Sequence, residues 1–275
     1  MTEWDAARFD GFEREGWAGR ADAYGTGFAE LTAHTVRPLL DAAGVRAGLR
    51  VLDVGCGPGR VAAAALARGA RVTAVDASPE MVRLAAAAHP GLDVQEAVLP
   101  HLPFPDATFD AVTGNFVVNH LGDPVAGVAE LLRVLRPGGR LALSCWERER
   151  MRATAVFGEA VAESAVVVPP GLPAGGMFLR DAEDRPQAFR DLLAAAGAAG
   201  TQAAQEAWTH RVDPDRWWRD VIAGTPLTGA VISRLAAEEV ALVRKAYDRL
   251  VSAFAVPGGL VELPAVALIC SGTRP

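Results

Sequence analysis

The run Val51-Leu52-Asp53-Val54-Gly55-Cys56-Gly57-Pro58-Gly59-Arg60 has the chemistry of a nucleotide-like ligand site. An apolar stretch ends around an acid, glycines follow at alternate positions, and a helical segment over residues 61–67 comes next. Glycines there let the backbone pass close to a ligand at the carboxyl end of a strand. Asp76 closes the next β-rich run, 19 residues after Gly57. An acid at about that offset accepts hydrogen bonds from ribose hydroxyls; the bland alternative is a tight turn followed by a surface aspartate. The spacing is G-x-G-x-G, with Arg60 where the dinucleotide fingerprint takes a third small residue. Asp53 would sit poorly beside a doubly anionic pyrophosphate and suits a cationic group such as an ammonium.

A second set of residues could act on a bound molecule. His120, in Phe116-Val117-Val118-Asn119-His120-Leu121, follows the fourth expected strand and is the candidate general base. A histidine suits that task near neutral pH, although the same residue could simply pack beside a ligand. His101 reads as an exposed loop residue, and His34 and His210 as structural. Trp217 and Trp218 are adjacent on a helix and point about 100° apart. They line a substrate pocket or dock their helix, and the sequence leaves both readings open. With Met177, Phe178 and Phe254 they would make an apolar acceptor pocket. Cys56 is read as a small loop residue, Cys145 and Cys270 as strand-core residues.

These residues need a frame. From about Arg50 to Trp146, β-rich and helical runs alternate, the pattern of a parallel α/β sheet. Strands are expected at residues 51–54, 71–75, 92–95, 109–113 and 140–145, a sixth near Trp208 and His210, and a last one at 265–270. Ser78-Pro79-Glu80 and Asp123-Pro124 each supply a helix N-cap with proline at the first helical position. Pro137-Gly138-Gly139 should stop the second of these helices and turn the chain into the fifth strand. The stretch from Asp22 to Ala43 looks helical and is placed across one end of the sheet. Later, Asp213-Pro214-Asp215 caps a short helix, a longer one spans about 233–254, and residues 166–177 form a Pro/Gly-rich loop of the kind often used as a lid.

Composition narrows the function classes. The 275 residues are 51% hydrophobic, enough for a sizeable core and too apolar for disorder. Lys+Arg 27 against Asp+Glu 33 gives −6, so no positive field would draw a nucleic acid. Three widely separated cysteines support neither a disulfide framework nor a structural zinc site, and no metal is expected. The acids near the N-terminus do not fit a signal peptide, and no run approaches the roughly 20 apolar residues of a membrane span. A cytoplasmic protein without membrane attachment is expected, as monomer or homodimer. Lys245 is the sole lysine, and only two tyrosines are present, so the Tyr/Lys set of a nicotinamide oxidoreductase is missing.

The chain resembles a class I S-adenosylmethionine-dependent methyltransferase, of the small-molecule group that includes ubiquinone and menaquinone C-methyltransferases and antibiotic-tailoring enzymes. The resemblance rests on V-L-D-V-G-C-G-P-G-R, V-T-A-V-D-A-S-P-E-M, L-P-F-P-D-A-T-F-D-A-V and N-H-L-G-D-P followed by E-L-L-R-V-L-R-P-G-G-R-L, and is specific over about residues 45–146. It implies a Rossmann-like, doubly wound, mostly parallel sheet of seven strands, the last antiparallel, with helices on both faces and a small helical cap. It further implies one methyltransferase domain over 1–275: a helical segment 1–45, a cofactor core 46–147 and a C-terminal half 148–275 carrying lid and substrate-binding insertions. S-adenosyl-L-methionine is the implied cofactor and a small apolar molecule the implied partner. Asp53 and the Gly55, Cys56, Gly57, Gly59 loop would hold its methionine moiety, Asp76 its ribose, Ala77 and Met81 its adenine. Asn115 and Phe116 would lie near the sulfonium, and Tyr24 would close over the cofactor. The family usually has an acid before Leu-Pro-Phe for the adenine N6. Here Ala97-Val98 stand in its place, with Glu96 just before them. A same-fold protein that catalyses cyclisation or only binds the cofactor is the alternative.

Overall fold

The computed structural model describes residues 5–173 and 182–275. Its sheet comprises β1 (Arg50–Val54), β2 (Arg71–Asp76), β3 (Asp93–Glu96), β4 (Phe109–Gly114), β5 (Leu135–Trp146), β6 (Ala199–Val212), a short β7 (Ala255–Val256) and β8 (Leu260–Thr273). The order is β3-β2-β1-β4-β5-β8-β6, with β7 paired to β8 off that path. β1 to β5 run parallel, and β8 lies antiparallel between β5 and β6. The chain builds outward one way through β1, β2 and β3, then the other way from β4. The sheet therefore has its switch point at β1 and β4, where crevices open beyond the carboxyl ends of the strands.

Both faces are covered because side chains alternate along each buried strand. Val51, Ala111 and Ala142 face one side, against Leu39, Leu40, Val61, Ala62 and Ala85 of three helices. Leu52, Val112, Leu141 and Leu143 face the other, against Val128, Leu131 and Leu132 of helix Pro124–Val134 and Phe189 and Leu193 of helix Arg185–Ala195. Ser78 and Asp123 act as expected: each side chain accepts from a first-turn backbone N–H, of Met81 and Ala126.

Local readings change at several points. Helix Pro124–Val134 ends before Pro137, and β5 already begins at Leu135, which pairs with Phe109; the register then shifts to Ala111–Arg140. Gly138 and Gly139 stay in the sheet because they exchange backbone bonds with Arg274 beyond β8. The Asp22–Ala43 stretch is a broken helix, with a π-helical turn over Tyr24–Phe28 and a 3₁₀ turn over Ala33–Thr35. Ahead of it, within the helical segment expected over 1–45, lies a separate helix, Ala6–Trp17, capped by Asp5, whose side chain accepts from the Arg8 amide. The long C-terminal helix spans Ala237–Ser252, after a separate one at Pro226–Ser233.

The helices after β5 form their own core against β8. Trp217 and Trp218 belong there, and neither lines the large cavity described below, which corrects their assignment to the substrate pocket. Trp217 stacks on Phe28 with centroids 5.6 Å apart, and its indole N–H donates to the Ala153 carbonyl at 2.7 Å. Trp218 stacks on Phe157 at 5.7 Å. Phe254 packs there as well, under the Arg152 guanidinium. Trp217→Phe should therefore cost roughly 1–3 kcal/mol of stability through the orphaned carbonyl and lost volume, with ligand affinity of the folded protein unchanged. Denaturant titration alongside a binding isotherm checks this.

Candidate functional site

The glycine loop follows β1 and is pinned from β2. The Cys56 amide donates to the Val75 carbonyl at 3.0 Å, and the Gly57 amide to the Asp76 carboxylate at 2.8 Å. Gly55 sits at φ 63°, and a Cβ on it would come within 2.7 Å of Val117. A side chain at Gly55 is thus excluded by both conformation and space. Gly59, at φ 83°, is the N-cap of helix Arg60–Ala67, so it shapes the turn rather than the cavity surface.

Asp76 ends β2 with its other oxygen accepting from the Ser78 amide at 2.9 Å. Burial pushes this carboxyl above the ordinary range, opposed by the Ser78 and Gly57 amides. Each carboxylate has roughly four acceptor sites, so the Gly57, Ser78 and Ala77 amides leave acceptor capacity for a ligand's hydroxyl. Asp53 is deeper, only 1% exposed. One of its oxygens accepts from the Thr113 hydroxyl at 3.0 Å, while Oδ2 is buried with no hydrogen-bond partner. Burial pushes its pKa up to about 7, against the Thr113 hydroxyl and the nearby Ala62 amide. An orphaned carboxylate oxygen under a glycine loop fits a cationic ligand group nearby.

At the end of β4 a polar knot sets the next wall. Asn115 Oδ1 accepts from the hydroxyls of Thr35 and Ser144, both at 2.7 Å, and its amide donates to the Thr32 carbonyl at 3.2 Å. Phe116 stands at φ 59°, a conformation costing of order 1–3 kcal/mol in a non-glycine residue. The Ser144 hydroxyl, which accepts from its amide, and Trp146, stacked at 3.8 Å between centroids, hold it there.

These strand ends open on a cavity of about 580 Å³. Of the expected site residues, Tyr24, Gly55, Gly57, Asp76, Ala77, Met81, Ala97, Val98, Asn115, Phe116 and His120 line it. Cys56 lines a small recess that shares Tyr24, Gly55, Gly57 and Asn115. Asp53 and Gly59 lie outside both, behind the loop, and Met177 and Phe178 fall outside the described residues. Ala97, Val98 and Leu99 form the wall where an acid was sought; Glu96 is exposed and off the lining. His101 does line the cavity mouth, and His34 stacks on Trp208. His210 is buried against Trp217, and burial holds its pKa down to about 4. Burial pushes the thiols of Cys56 and Cys145 well above the ordinary range, so neither is a ready nucleophile.

Sequence reasoning missed one whole wall. Phe9, Asp10, Glu13 and Trp17 of helix Ala6–Trp17 line the cavity, as do Thr225 and the first turn of helix Pro226–Ser233, residues 226–228. Glu13 Oε2 lies 2.7 Å from His120 Nδ1, and Trp17 meets the His120 ring edge-on at 5.4 Å. The Asp5 cap was the available signal for this helix; its partners across the cavity carried none. Polar groups at the strand ends together with the aromatic side chains of Phe9, Trp17, Tyr24, Phe28, Phe116 and Trp146 suit a polar cofactor beside an apolar co-substrate.

Residues 52–143 match the family described as "Methyltransferase domain". A demethylmenaquinone methyltransferase of Beutenbergia cavernae is 42% identical over 108 residues, covering 39% of this chain and 45% of that one. An uncharacterized 37.1 kDa protein in transposon TN4556 of Streptomyces fradiae is 30% identical over 225 residues, covering 80% of this chain and 57% of its own. The chain thus spans about half the length of these curated relatives. Among solved structures, the YcgJ protein of Bacillus subtilis shares the fold, with TM-score 0.56, 22% identity, and coverage of 88% of this chain and 98% of that one. None of the described helices is long and apolar enough to cross a membrane. Over residues 52–143 this chain is thus similar to a methyltransferase domain.

Proposed function

We propose that the whole chain is one methyltransferase domain that binds S-adenosylmethionine and methylates an apolar, quinone-like or secondary-metabolite acceptor. The observation that carries this reading is the Asp76 carboxylate at the cavity floor, tied to the glycine loop with acceptor sites to spare. The cofactor would supply an electrophilic methyl group on a sulfonium. Asp76 accepts hydrogen bonds from the ribose hydroxyls. Ala77 and Met81 pack on the adenine, and backbone groups at Ala97-Val98 take the role of the usual acid at N6. Gly55, Cys56 and Gly57 admit the methionine moiety, Asp53 balances its ammonium from behind, and Gly59 holds the turn.

Asn115 and Phe116 orient the reacting end, Tyr24 closes over it, and His120 is placed to take a proton from the acceptor. The aromatic wall excludes water and aligns the acceptor, which supplies much of the acceleration in a direct displacement. The menaquinone relative supports a ring-shaped acceptor. The partner is a small molecule, the setting the cytoplasm, and the protein acts as monomer or homodimer. Calorimetric titration with S-adenosylmethionine and with NADH is the first test, and binding of only the former is expected. Transfer of labelled methyl to 1,4-naphthohydroquinone, catechol and an aromatic amine is the second. Binding of NADH alone overturns the reading.

A further inference from the structure

We infer that Glu13, on the N-terminal helix, is a positioning residue that fixes His120 as a general base for a hydroxyl-bearing acceptor. This rests on the methyl-transfer reading above. Helix Ala6–Trp17 is docked on the turn that carries His120. The Gly122 amide donates to Asp10 Oδ1 at 2.7 Å, and a Cβ on Gly122 would run into the Ala6 carbonyl oxygen. That seating brings Glu13 Oε2 to 2.7 Å from His120 Nδ1, and Glu13 is only 12% exposed. Trp17 braces the ring from the side.

A carboxylate only accepts, so the neutral imidazole bound to it carries its proton on Nδ1 and leaves Nε2 with a lone pair. Among the described residues none hydrogen-bonds Nε2, and His120 lines the cavity. A phenol or enol seated against the aromatic wall therefore meets a proton acceptor. His120 Nε2 takes the hydroxyl proton as the oxygen lone pair bonds the methyl carbon. The C–S bonding pair stays on sulfur, and the imidazolium releases its proton to solvent. An acceptor attacking through a neutral, already nucleophilic centre would have no use for this pair.

Nitrogen-15 spectra of histidine-labelled protein, taken at pH 8 without cofactor or acceptor, read the tautomer directly. The wild type is expected to show His120 protonated at Nδ1. Glu13→Ala should shift it toward the Nε2–H form, and Glu13→Gln, whose amide oxygen can still accept, should restore part of the wild-type signal. Gly122→Ala, which pushes the helix off, should reproduce Glu13→Ala while leaving Glu13 in the chain. With the hydroxyl acceptors, Glu13→Ala should lower kcat about tenfold or more with KM little changed. An Nε2–H tautomer in the wild type, or equal tautomers and kcat in wild type and Glu13→Ala, overturns the inference. Failure of S-adenosylmethionine to bind would instead sink the methyl-transfer reading and leave the tautomer result standing.

Discussion

Asp76→Ala is expected to remove S-adenosylmethionine binding from the measurable range while the protein stays folded. The carboxylate is proposed to accept from both ribose hydroxyls, and hydrogen bonds to a charged acceptor contribute about 1.5–3 kcal/mol each. Losing two weakens affinity by about 10²–10⁴-fold. A second loss adds to this, because the same oxygens hold the Gly57 and Ser78 amides. Without them the glycine loop and the start of helix Pro79–Ala88 lose a shared anchor, so the cofactor would have to order its own site. Asp76→Asn separates the two contributions. Its one amide oxygen can keep a loop contact but cannot serve both amides and the ligand, so an intermediate affinity is expected. Calorimetry on all three proteins, with circular dichroism for the fold, checks this. Unchanged affinity in Asp76→Ala would show the ribose assignment to be wrong.

Asp76 was legible in the sequence because its meaning is local: a strand, a glycine turn, a helix and an acid at a fixed offset. The strand order was legible for a related reason, since continuously apolar runs separated by capped helices permit little besides a parallel sheet. What failed depended on distant partners. Pro137-Gly138-Gly139 has the chemistry of a stop, yet the backbone bonds to Arg274 keep it in the sheet. Trp217 and Trp218 point apart as helix geometry requires, but an apolar surface awaits each, Phe28 on one side and Phe157 with Tyr247 on the other. Helix Ala6–Trp17 buries only Phe9 on its inner face, so it shows little apolar periodicity. Its weight in the site comes from polar contacts to Gly122 and His120, more than a hundred positions away in the chain.

Asp53→Asn should stabilise the ligand-free protein at pH 8 and weaken its hold on S-adenosylmethionine. The Asp53 pKa of about 7 in the fold lies far above the ~3.9 of an unfolded aspartate. Between those values the folded chain holds the extra proton, so stability falls as pH rises through the window, and the penalty is complete above pH 7. Asparagine, which carries no charge to bury, removes that penalty; relief of roughly 1–3 kcal/mol is expected at pH 8 and about a third of that at pH 5. Cofactor binding has the opposite sign. An ammonium near the unpaired Oδ2 favours the ionised carboxylate, so wild-type affinity should be greatest above pH 7 and fall by up to about tenfold per unit below it. The variant should bind weakly with a flattened pH dependence. Thermal unfolding and calorimetry at pH 5.5 and 8 read both effects. A variant that is less stable at pH 8 yet binds as tightly as the wild type would mean that Asp53 is a structural acid only. The paired outcome would mean that the chain carries a strained carboxylate which its ligand relieves.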